Sequence, residues 1–292
     1  MRTVIGIDLS REGLAAGDWV ARWLLPESEI ALAYSVQVPQ GPRFTTVHDE
    51  GHDEIVAFAR QEAARALQPL VQEYGLHRTT VLVGEGPPAE TLLALAREWD
   101  GEAVAVGPSG HSPTPFRSLG STAARLIRES EFPVVIVRDA KGRAPKRLLV
   151  ALDDGAPEGA VLEPALALAE VHGAQVLGAY VYETLLPGLP EAGKPADDDA
   201  LTPALREAAE EWLSGVMDDA GLPPGNTETR VRAGHAGEEI CALALDDDVD
   251  LIVMGTHGRP LAGPTIGSVA RYVAGHAPCP VLVVPRGRSA MG

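Results

Sequence analysis

Short apolar runs alternate along this chain with longer stretches in which apolar residues recur every three or four positions. In the first half, near-continuous apolar runs cover residues 3–8, 29–36, 79–83, 103–107 and 133–137. The stretches between them carry apolar stripes of helical period, one of which contains Ile55, Ala59, Leu67 and Val71. Continuous apolar strands that alternate with amphipathic helices are typical of a parallel sheet covered on both faces.

The second half repeats this order of elements. Residues 4–8 match residues 149–153, and residues 80–84 answer residues 229–234. Its clearest predicted helix has Leu205, Ala209, Leu213 and Met217 on one stripe. Because self-similarity at a fixed period indicates duplication, we predict an α/β fold with two tandem Rossmann-like domains. Each domain is expected to be a five-stranded parallel sheet with helices on both faces.

The length of the chain fits two domains of ordinary size. The 292 residues divide at a charged segment that contains glycine and proline, as linkers do. We predict a first domain at residues 1–140, a linker at 141–145 and a second domain at 146–288.

A glycine signature follows the fourth apolar run of the first half. Gly107 ends the run and Gly110 follows it, and nine residues then separate Gly110 from Gly120 and Ser121. The second copy consists of Gly255, Gly258, Gly267 and Ser268. Glycines at strand ends let the backbone approach a ligand, and helix N-termini offer unpaired N–H groups to anions. The signature predicts two phosphate-binding turns; the alternative is that the glycines only shape tight strand–helix turns.

The two copies are not equivalent. The second loop has eight residues between Gly258 and Gly267, one fewer than the first, and Asp154 adds a carboxylate beside Asp153. In the first copy Pro108 lies between the glycines and lacks an N–H donor. We expect the first domain to bind a phosphate-bearing ligand more surely than the second.

Composition narrows the classes of partner. The net charge is −17 and both halves are acidic, which argues against nucleic acid or an anionic membrane as a partner. Two cysteines fit a reducing compartment, and no apolar run approaches the length of a membrane span. We expect a cytoplasmic protein.

Several ordered motifs together resemble the universal stress protein family. They are Asp8-x-Ser10, the Gly-x-Pro pattern near residues 84–88, the Gly-x2-Gly-x9-Gly-Ser signature, and the terminal apolar block at 277–284. The resemblance covers the whole chain as a tandem pair. It implies an ATP-binding fold, usually with a divalent cation such as Mg²⁺ carried by the nucleotide.

The resemblance also implies which residues surround the nucleotide. In the first domain they are Asp8, Ser10, Ser35 (or its neighbour Val36), Gly107, Gly110, Gly120, Ser121 and Thr122. In the second domain they are Asp153, Val181, Gly255, Gly258, Gly267, Ser268 and Val269. The strand-one aspartate and the strand-two residue are expected near adenine and ribose, and the later glycines and serine near the triphosphate.

Other chemistries are less well supported by the sequence. Neither copy has the lysine-containing phosphate loop of P-loop NTPases, and no residue is an obvious general base, so any ATP hydrolysis should be slow. His48 and His52 have a spacing that suits zinc on a helix, but the pair alone is a weak signal. An adenylating enzyme of related fold is disfavoured because its pyrophosphate loop is missing.

The sequence therefore predicts a tandem universal stress protein that binds ATP as a regulatory or sensory ligand in a stress response. The alternative is an interaction module without nucleotide, which holds another small ligand or a protein partner. The family joins its dimers through the last strand, which implies that the two domains pair internally as a pseudo-dimer. Association of whole chains as a homodimer is left open.

Overall fold

The chain forms two compact units, Met1–Ala144 and Pro145–Ala290. The structure, a computed structural model, describes residues 1–37, 52–75, 77–110, 119–153, 158–182, 201–221, 225–256 and 267–285. None of the helices in this described part of the chain is both long and apolar enough to cross a membrane.

The first unit alternates strands and helices. Its strands are β1 (Arg2–Gly6), β2 (Glu29–Val36), β3 (Thr79–Glu85), β4 (Ala103–Val106) and β5 (Val134–Ile136). Its helices are α1 (Arg11–Trp19), α2 (His52–Tyr74), α3 (Pro88–Glu98) and α4 (Ser121–Glu129), with a π-helical turn at Val20–Leu24 after α1. The strands pair in parallel in the order β3-β2-β1-β4-β5.

The second unit repeats the arrangement. Its strands are β6 (Arg147–Leu152), β7 (Gln175–Tyr182), β8 (Thr227–Ala233), β9 (Leu251–Gly255) and β10 (Val281–Val284). Its helices are α5 (Glu158–His172), α6 (Leu201–Asp219), α7 (Ala236–Asp246) and α8 (Ser268–His276). The strand order is β8-β7-β6-β9-β10, again parallel. The predicted α/β class with five-stranded parallel sheets is confirmed.

Both faces of each sheet are covered. All four residues of β4 are buried, as are Ile30–Ala33 in β2 and Leu148–Val150 in β6. Because successive side chains of a strand point to opposite faces, burial of consecutive residues requires packed helices on both sides.

The strand order reverses beside β1. Val4 of β1 lies in register with Ala31 of β2 on one side and with Val104 of β4 on the other. Connections from β1 and from β4 therefore run in opposite directions along the sheet. In open α/β sheets such a reversal leaves a crevice at the carboxyl ends of the strands, where ligands bind.

The predicted stripe of α2 is buried only over the second part of the helix. Leu67 and Val71 are buried, whereas Ile55 is 43% exposed and Phe58 is 66% exposed. The helix has 23 residues and is about 35 Å long, but the eight residues of β2 span only about 26 Å. The first turns of α2 extend beyond the sheet, and so Ile55 is exposed although it belongs to the predicted apolar stripe.

The first turns of α6 are exposed in the same way. Ala209, Leu213 and Met217 are buried as expected, but Leu205 is 40% exposed. Sequence periodicity marks the apolar face of a helix but not the point at which the sheet beneath it ends.

At the ends of β3 and β8, the structural correspondence between the two units differs by two residues from the correspondence predicted from the sequence. Gly86 and Gly234 follow these strands, both with positive φ (+123° and +145°). Their N–H groups donate to the carbonyl oxygens of Val36 and Tyr182, the last residues of β2 and β7. Gly234 therefore corresponds to Gly86, and the predicted match with Gly84 is wrong.

The side chain of Arg78 caps the π-helical turn that follows α1. The N–H group of Leu25 donates to the carbonyl oxygen of Val20, five residues earlier, and this wider turn leaves carbonyl groups without helical donors. The guanidinium of Arg78 donates to the backbone carbonyl oxygens of Ala21 (2.9 Å), Leu25 (3.4 Å), Ser28 (3.1 Å) and Tyr74 (2.9 Å). This single side chain joins the ends of α1 and α2 to β3.

We expect Arg78→Ala to lower the free energy of unfolding of the first unit by about 2–4 kcal/mol, because it leaves several partly buried carbonyl groups without donors. Urea unfolding followed by tryptophan fluorescence measures this change, since three of the four tryptophans lie in the first unit. Arg65→Ala is the matched control, because Arg65 is exposed and contacts only Glu62 among the described residues. Equal stability of the two variants would contradict the role of Arg78.

Candidate functional site

A cavity of about 720 Å³ lies at the carboxyl ends of β1, β2 and β4 in the first unit. It occupies the crevice that the reversal of strand order creates. The predicted site residues that line it are Asp8, Ser35, Gly107, Gly110, Gly120, Ser121 and Thr122. Residues that are far apart in sequence are thus brought together around one cavity.

The loop after β1 is held by a short network around Asp8. The backbone N–H and the hydroxyl of Ser10 both donate to Oδ1 of Asp8, at 2.9 and 2.5 Å. The Ser10 hydroxyl also accepts from the N–H of Gly13 at 3.0 Å and so caps α1. Leu9 between them has a φ of 64°, in the left-handed region. Ser10 is buried and does not line the cavity; it orients Asp8.

Two glycines allow the backbone to approach the Asp8 carboxylate. A Cβ atom added to Gly13 would lie 2.5 Å from Oδ1 of Asp8, and one added to Gly110 would overlap Oδ2. Gly110 was expected to cradle phosphate; the structure places it against Asp8 as well as in the cavity wall. The glycine loop and the loop after β1 are therefore packed directly together.

The N-terminus of α4 forms one end of the cavity. Its N-cap residue, Gly120, has no side chain that accepts from the first turn, and the N–H group of Gly120 donates to the Pro108 carbonyl at 2.8 Å. Ser121, Thr122 and Ala123 line the cavity. Unpaired N–H groups and the helix dipole make this end favourable for an anion.

The distribution of acidic residues supports this assignment. The first turn of α3 carries Glu90, and that of α7 carries Glu238 and Glu239. The first turns of α4 and α8 carry no acidic residue. A carboxylate in the first turn would stabilise the helix but repel an anionic ligand, and so its absence from these two helices keeps both N-termini open to phosphate.

Pro108 has a different consequence from the one expected. The equivalent residue in the second unit is Thr256, because the Gly267 N–H donates to the Thr256 carbonyl as Gly120 does to Pro108. The N–H of Thr256 donates to the carbonyl of Val284 in the neighbouring strand. The donor that Pro108 lacks is thus one that would extend the sheet rather than contact a ligand.

Other parts of the cavity wall are formed by the end of β2 and the start of α3. Ser35, Gln37, Pro88 and Leu92 line these parts, and Ile7 and Ala33 add apolar surface. The hydroxyl of Ser35 donates to the carbonyl of Gly86 at 2.6 Å, which ties the end of β2 to the turn before α3.

Helices α3 and α4, which both contribute to the cavity wall, are joined by an ion pair on their exposed surfaces. Arg125 of α4 contacts Glu90 of α3 and also pairs with Glu129 at 2.9 Å. Hydrogen bonds from Arg128 and Arg125 lower the pKa of Glu129. These pairs are solvent-exposed, so each adds little to the stability of the fold, and only the pair of Arg125 with Glu90 crosses from α4 to α3.

The second unit has the same framework with different side chains. Asp153 follows β6, Val181 lies in β7, Gly255 ends β9, and Gly267, Ser268 and Val269 begin α8. Gly258 lies outside the described residues. Val181 has no hydroxyl where the first unit has Ser35. Ala151 replaces Gly6, at which an added Cβ would lie 2.7 Å from Cδ1 of Leu92.

The histidine pair with zinc-like spacing, which the sequence supports only weakly as a metal site, falls outside the described part of the chain, which excludes His48 and the side chain of His52. Within the described residues, no group of three or more histidine, cysteine, aspartate or glutamate side chains is placed to hold a metal ion.

Sequence reasoning missed several residues of the cavity: Gly6, Gly13, Gln37, Pro88 and Leu92. Gly6 and Gly13 had a usable signal, because a glycine inside a strand or a helix often marks a close approach of another group. An apolar residue such as Leu92 in a predicted amphipathic helix indicates packing against the sheet and not contact with a ligand. Gln37 carried no signal in the sequence.

The fold and the site define a tandem α/β protein with a cavity at the strand ends of its first unit. The model of the universal stress protein family matches residues 1–138 and 145–285. The chain therefore belongs to the universal stress protein family, with two copies of the family domain.

Individual relatives agree with this assignment. A universal stress protein of Thermus aquaticus is 34% identical over 140 residues, which cover 48% of this chain and 98% of that protein. Universal stress protein Rv2623 of Mycobacterium tuberculosis is 25% identical over 299 residues and covers 96% of this chain and 95% of its own length. A solved universal stress protein from Archaeoglobus fulgidus has a TM-score of 0.70 at 17% identity, with 98% of each chain covered.

We expect Gly13→Ala to lower the free energy of unfolding of the first unit by about 1–3 kcal/mol, because the new methyl group would displace the Asp8 carboxylate from Ser10. Gly215→Ala is the matched helical control: no atom lies within 4 Å of its added Cβ, so it should raise stability by up to about 1 kcal/mol. Peptide-resolved hydrogen exchange, measured at increasing urea concentrations, reports the free energy of unfolding of each unit separately. A neutral or stabilising effect of Gly13→Ala would contradict the packed geometry around Asp8.

Proposed function

We propose that this tandem universal stress protein binds ATP in the cleft of its first unit and that occupancy of the cleft acts as a regulatory or sensory signal in a stress response. The observation that carries the proposal is the cavity at the strand reversal, bounded at one end by the open N-terminus of α4. Its volume lies within the range of about 300–1,000 Å³ that is usual for small-molecule sites.

The phosphate groups would bind at the α4 end. The N–H groups of Ser121 and Thr122 and the dipole of the helix favour negative charge there, and the hydroxyl groups add donors. The overall charge of −17 opposes a polyphosphate, so local donors must hold it. Mg²⁺ carried by ATP would reduce the repulsion between the phosphates and the carboxylate of Asp8.

The organic part of the nucleotide would lie toward β2 and α3. Ile7, Ala33, Leu92 and Val106 supply apolar surface, and Ser35 and Gln37 supply polar groups. A cavity with apolar walls and a few convergent polar groups is the usual form of a specific small-molecule site.

The cavity favours binding over catalysis. Among the described residues that line it, Asp8 is the one carboxylate, and its Oδ1 already accepts two hydrogen bonds from Ser10. A general base needs to be free to accept a proton from the attacking water. We therefore propose slow hydrolysis at most, and a ligand whose binding is the signal.

We further propose that the second unit binds ATP more weakly. Its helix α8 also lacks an acidic residue in the first turn, but its strand ends carry Val181 and Ala151 in place of Ser35 and Gly6. Pairing of the two units through their last strands and a cytoplasmic location stay predictions.

We expect Ser121→Asp to weaken ATP binding at least about tenfold, because it places a carboxylate beside the phosphates at the start of α4. The same change should preserve or raise the stability of the fold, since an acidic residue in the first turn favours the helix. Isothermal titration calorimetry with Mg²⁺ and ATP measures the affinity. Ser121→Asn is the neutral control of similar size and should bind within a few-fold of the unchanged protein.

Ser268→Asp makes the corresponding change in the second unit and should leave the tighter binding event unaltered. Loss of the tighter event in this variant would instead place the main site in the second unit. No binding of ATP to the unchanged protein at millimolar concentration would overturn the proposal. It would favour the alternative, an interaction module without nucleotide. Mass spectrometry of any ligand that co-purifies with the protein tests that alternative independently.

A further inference from the structure

The hydroxyl group of Ser35 donates its proton in a hydrogen bond within the protein. Its Oγ lies 2.6 Å from the carbonyl oxygen of Gly86, and a carbonyl oxygen can only accept. Ser35 must therefore donate in this bond. The Thr91 hydroxyl, 3.4 Å from Ser35 Oγ, itself lies 3.3 Å from the Glu85 carbonyl, to which it can donate.

Any hydrogen bond between Ser35 Oγ and a ligand is consequently one in which Ser35 is the acceptor. A hydroxyl oxygen has two lone pairs, and the bond to Gly86 uses neither of them. Since Ser35 lines the cavity, a ligand group that meets its Oγ must carry a proton to donate. A carbonyl oxygen in that place would face another acceptor and be left without a hydrogen bond.

The position of Ser35 assigns it to the base rather than to the phosphates. The anion end of the cavity belongs to α4, which follows β4, whereas Ser35 lies in β2, on the other side of β1. A nucleotide with its phosphates at α4 therefore extends across the end of β1 and places its base against Ser35, Pro88 and Leu92.

We propose that Ser35 is a specificity-determining residue that selects a 6-amino purine over a 6-oxo purine. The exocyclic amine of adenine donates to the Ser35 oxygen. The 6-oxo group of hypoxanthine or guanine is itself an acceptor and cannot form a hydrogen bond with that oxygen. This inference rests on the proposed nucleotide function and adds the means by which the base is chosen. Unsatisfied buried polar groups are costly, and so one mismatched group can discriminate strongly.

Among the described residues that line this part of the cavity, Gln37, Pro88 and Leu92 do not supply the same discrimination. The terminal amide of Gln37 can rotate to present either its oxygen or its NH₂ group, and it therefore suits both kinds of purine. Pro88 and Leu92 contribute apolar surface only. In the second unit Val181 stands at the position of Ser35, and so this selection belongs to the first unit.

The experiment compares ATP with inosine 5′-triphosphate, which carries a 6-oxo group, by calorimetry in the presence of Mg²⁺. We expect ATP to bind at least about tenfold more tightly than the inosine nucleotide. Ser35→Ala should reduce this ratio to near one. Ser35→Thr retains the hydroxyl and should restore most of the ratio.

Two control variants distinguish a loss of discrimination between the two purines from a structural disturbance of the turn before α3. Thr91→Val removes the hydroxyl that faces the Glu85 carbonyl and disturbs the same turn without altering the acceptor in the cavity. Gln37→Ala removes a group that suits both purines. Each should weaken the two nucleotides by similar factors and keep the ratio.

Equal affinity of the unchanged protein for both nucleotides would overturn the role of Ser35 and leave the proposed ATP binding intact. A ratio that persists in Ser35→Ala would also overturn it. If instead the Ser35 oxygen contacts the ribose, Ser35→Ala will remove a preference for ATP over 2′-deoxy-ATP and keep the preference for the base. Binding of neither nucleotide means that the proposed function itself has failed.

Discussion

The reversal of strand order beside β1 is the constraint on which the rest of the structure depends. Because the chain leaves β1 toward β2 and later returns to β4 on the opposite side, the carboxyl ends of these strands share one crevice. The other features serve to keep it open. Gly6, Gly13 and Gly110 lack the Cβ atoms that would strike Leu92 or Asp8, and the hydrogen bonds from Ser10 hold the Asp8 carboxylate in place.

The two units keep one end of this site in common and differ at the other. Helices α4 and α8 both begin after a glycine N-cap and carry no acidic residue in the first turn, which suits an anion in each unit. The wall formed by the second strand differs, because Ser35 has a hydroxyl and Val181 does not. The starts of these two helices therefore differ less between the units than the ends of the second strands do.

Several parts of the fold could be predicted from local patterns, and the errors have physical causes. Strand positions followed from apolar runs, since a strand buried on both faces must be apolar throughout. The exposure of Ile55 could not be predicted, because it depends on the length of α2 relative to β2. The match of Gly84 with Gly234 was wrong because it relied on both residues being glycine. The equivalent residues are those with the same turn conformation and the same backbone hydrogen bond, and in the first unit that residue is Gly86, which donates to Val36.

The amino-acid sequence was sufficient for the duplication, the α/β class and the glycine signature, because periodicity and turn-forming residues report interactions between near neighbours in the chain. Tertiary structure decided which groups meet in the cavity. The contact of Gly110 with Asp8 and the bond from Ser35 to Gly86 join residues that are distant in sequence. Such contacts arise only once parallel strands pair and bring their carboxyl ends together, and no local pattern records them.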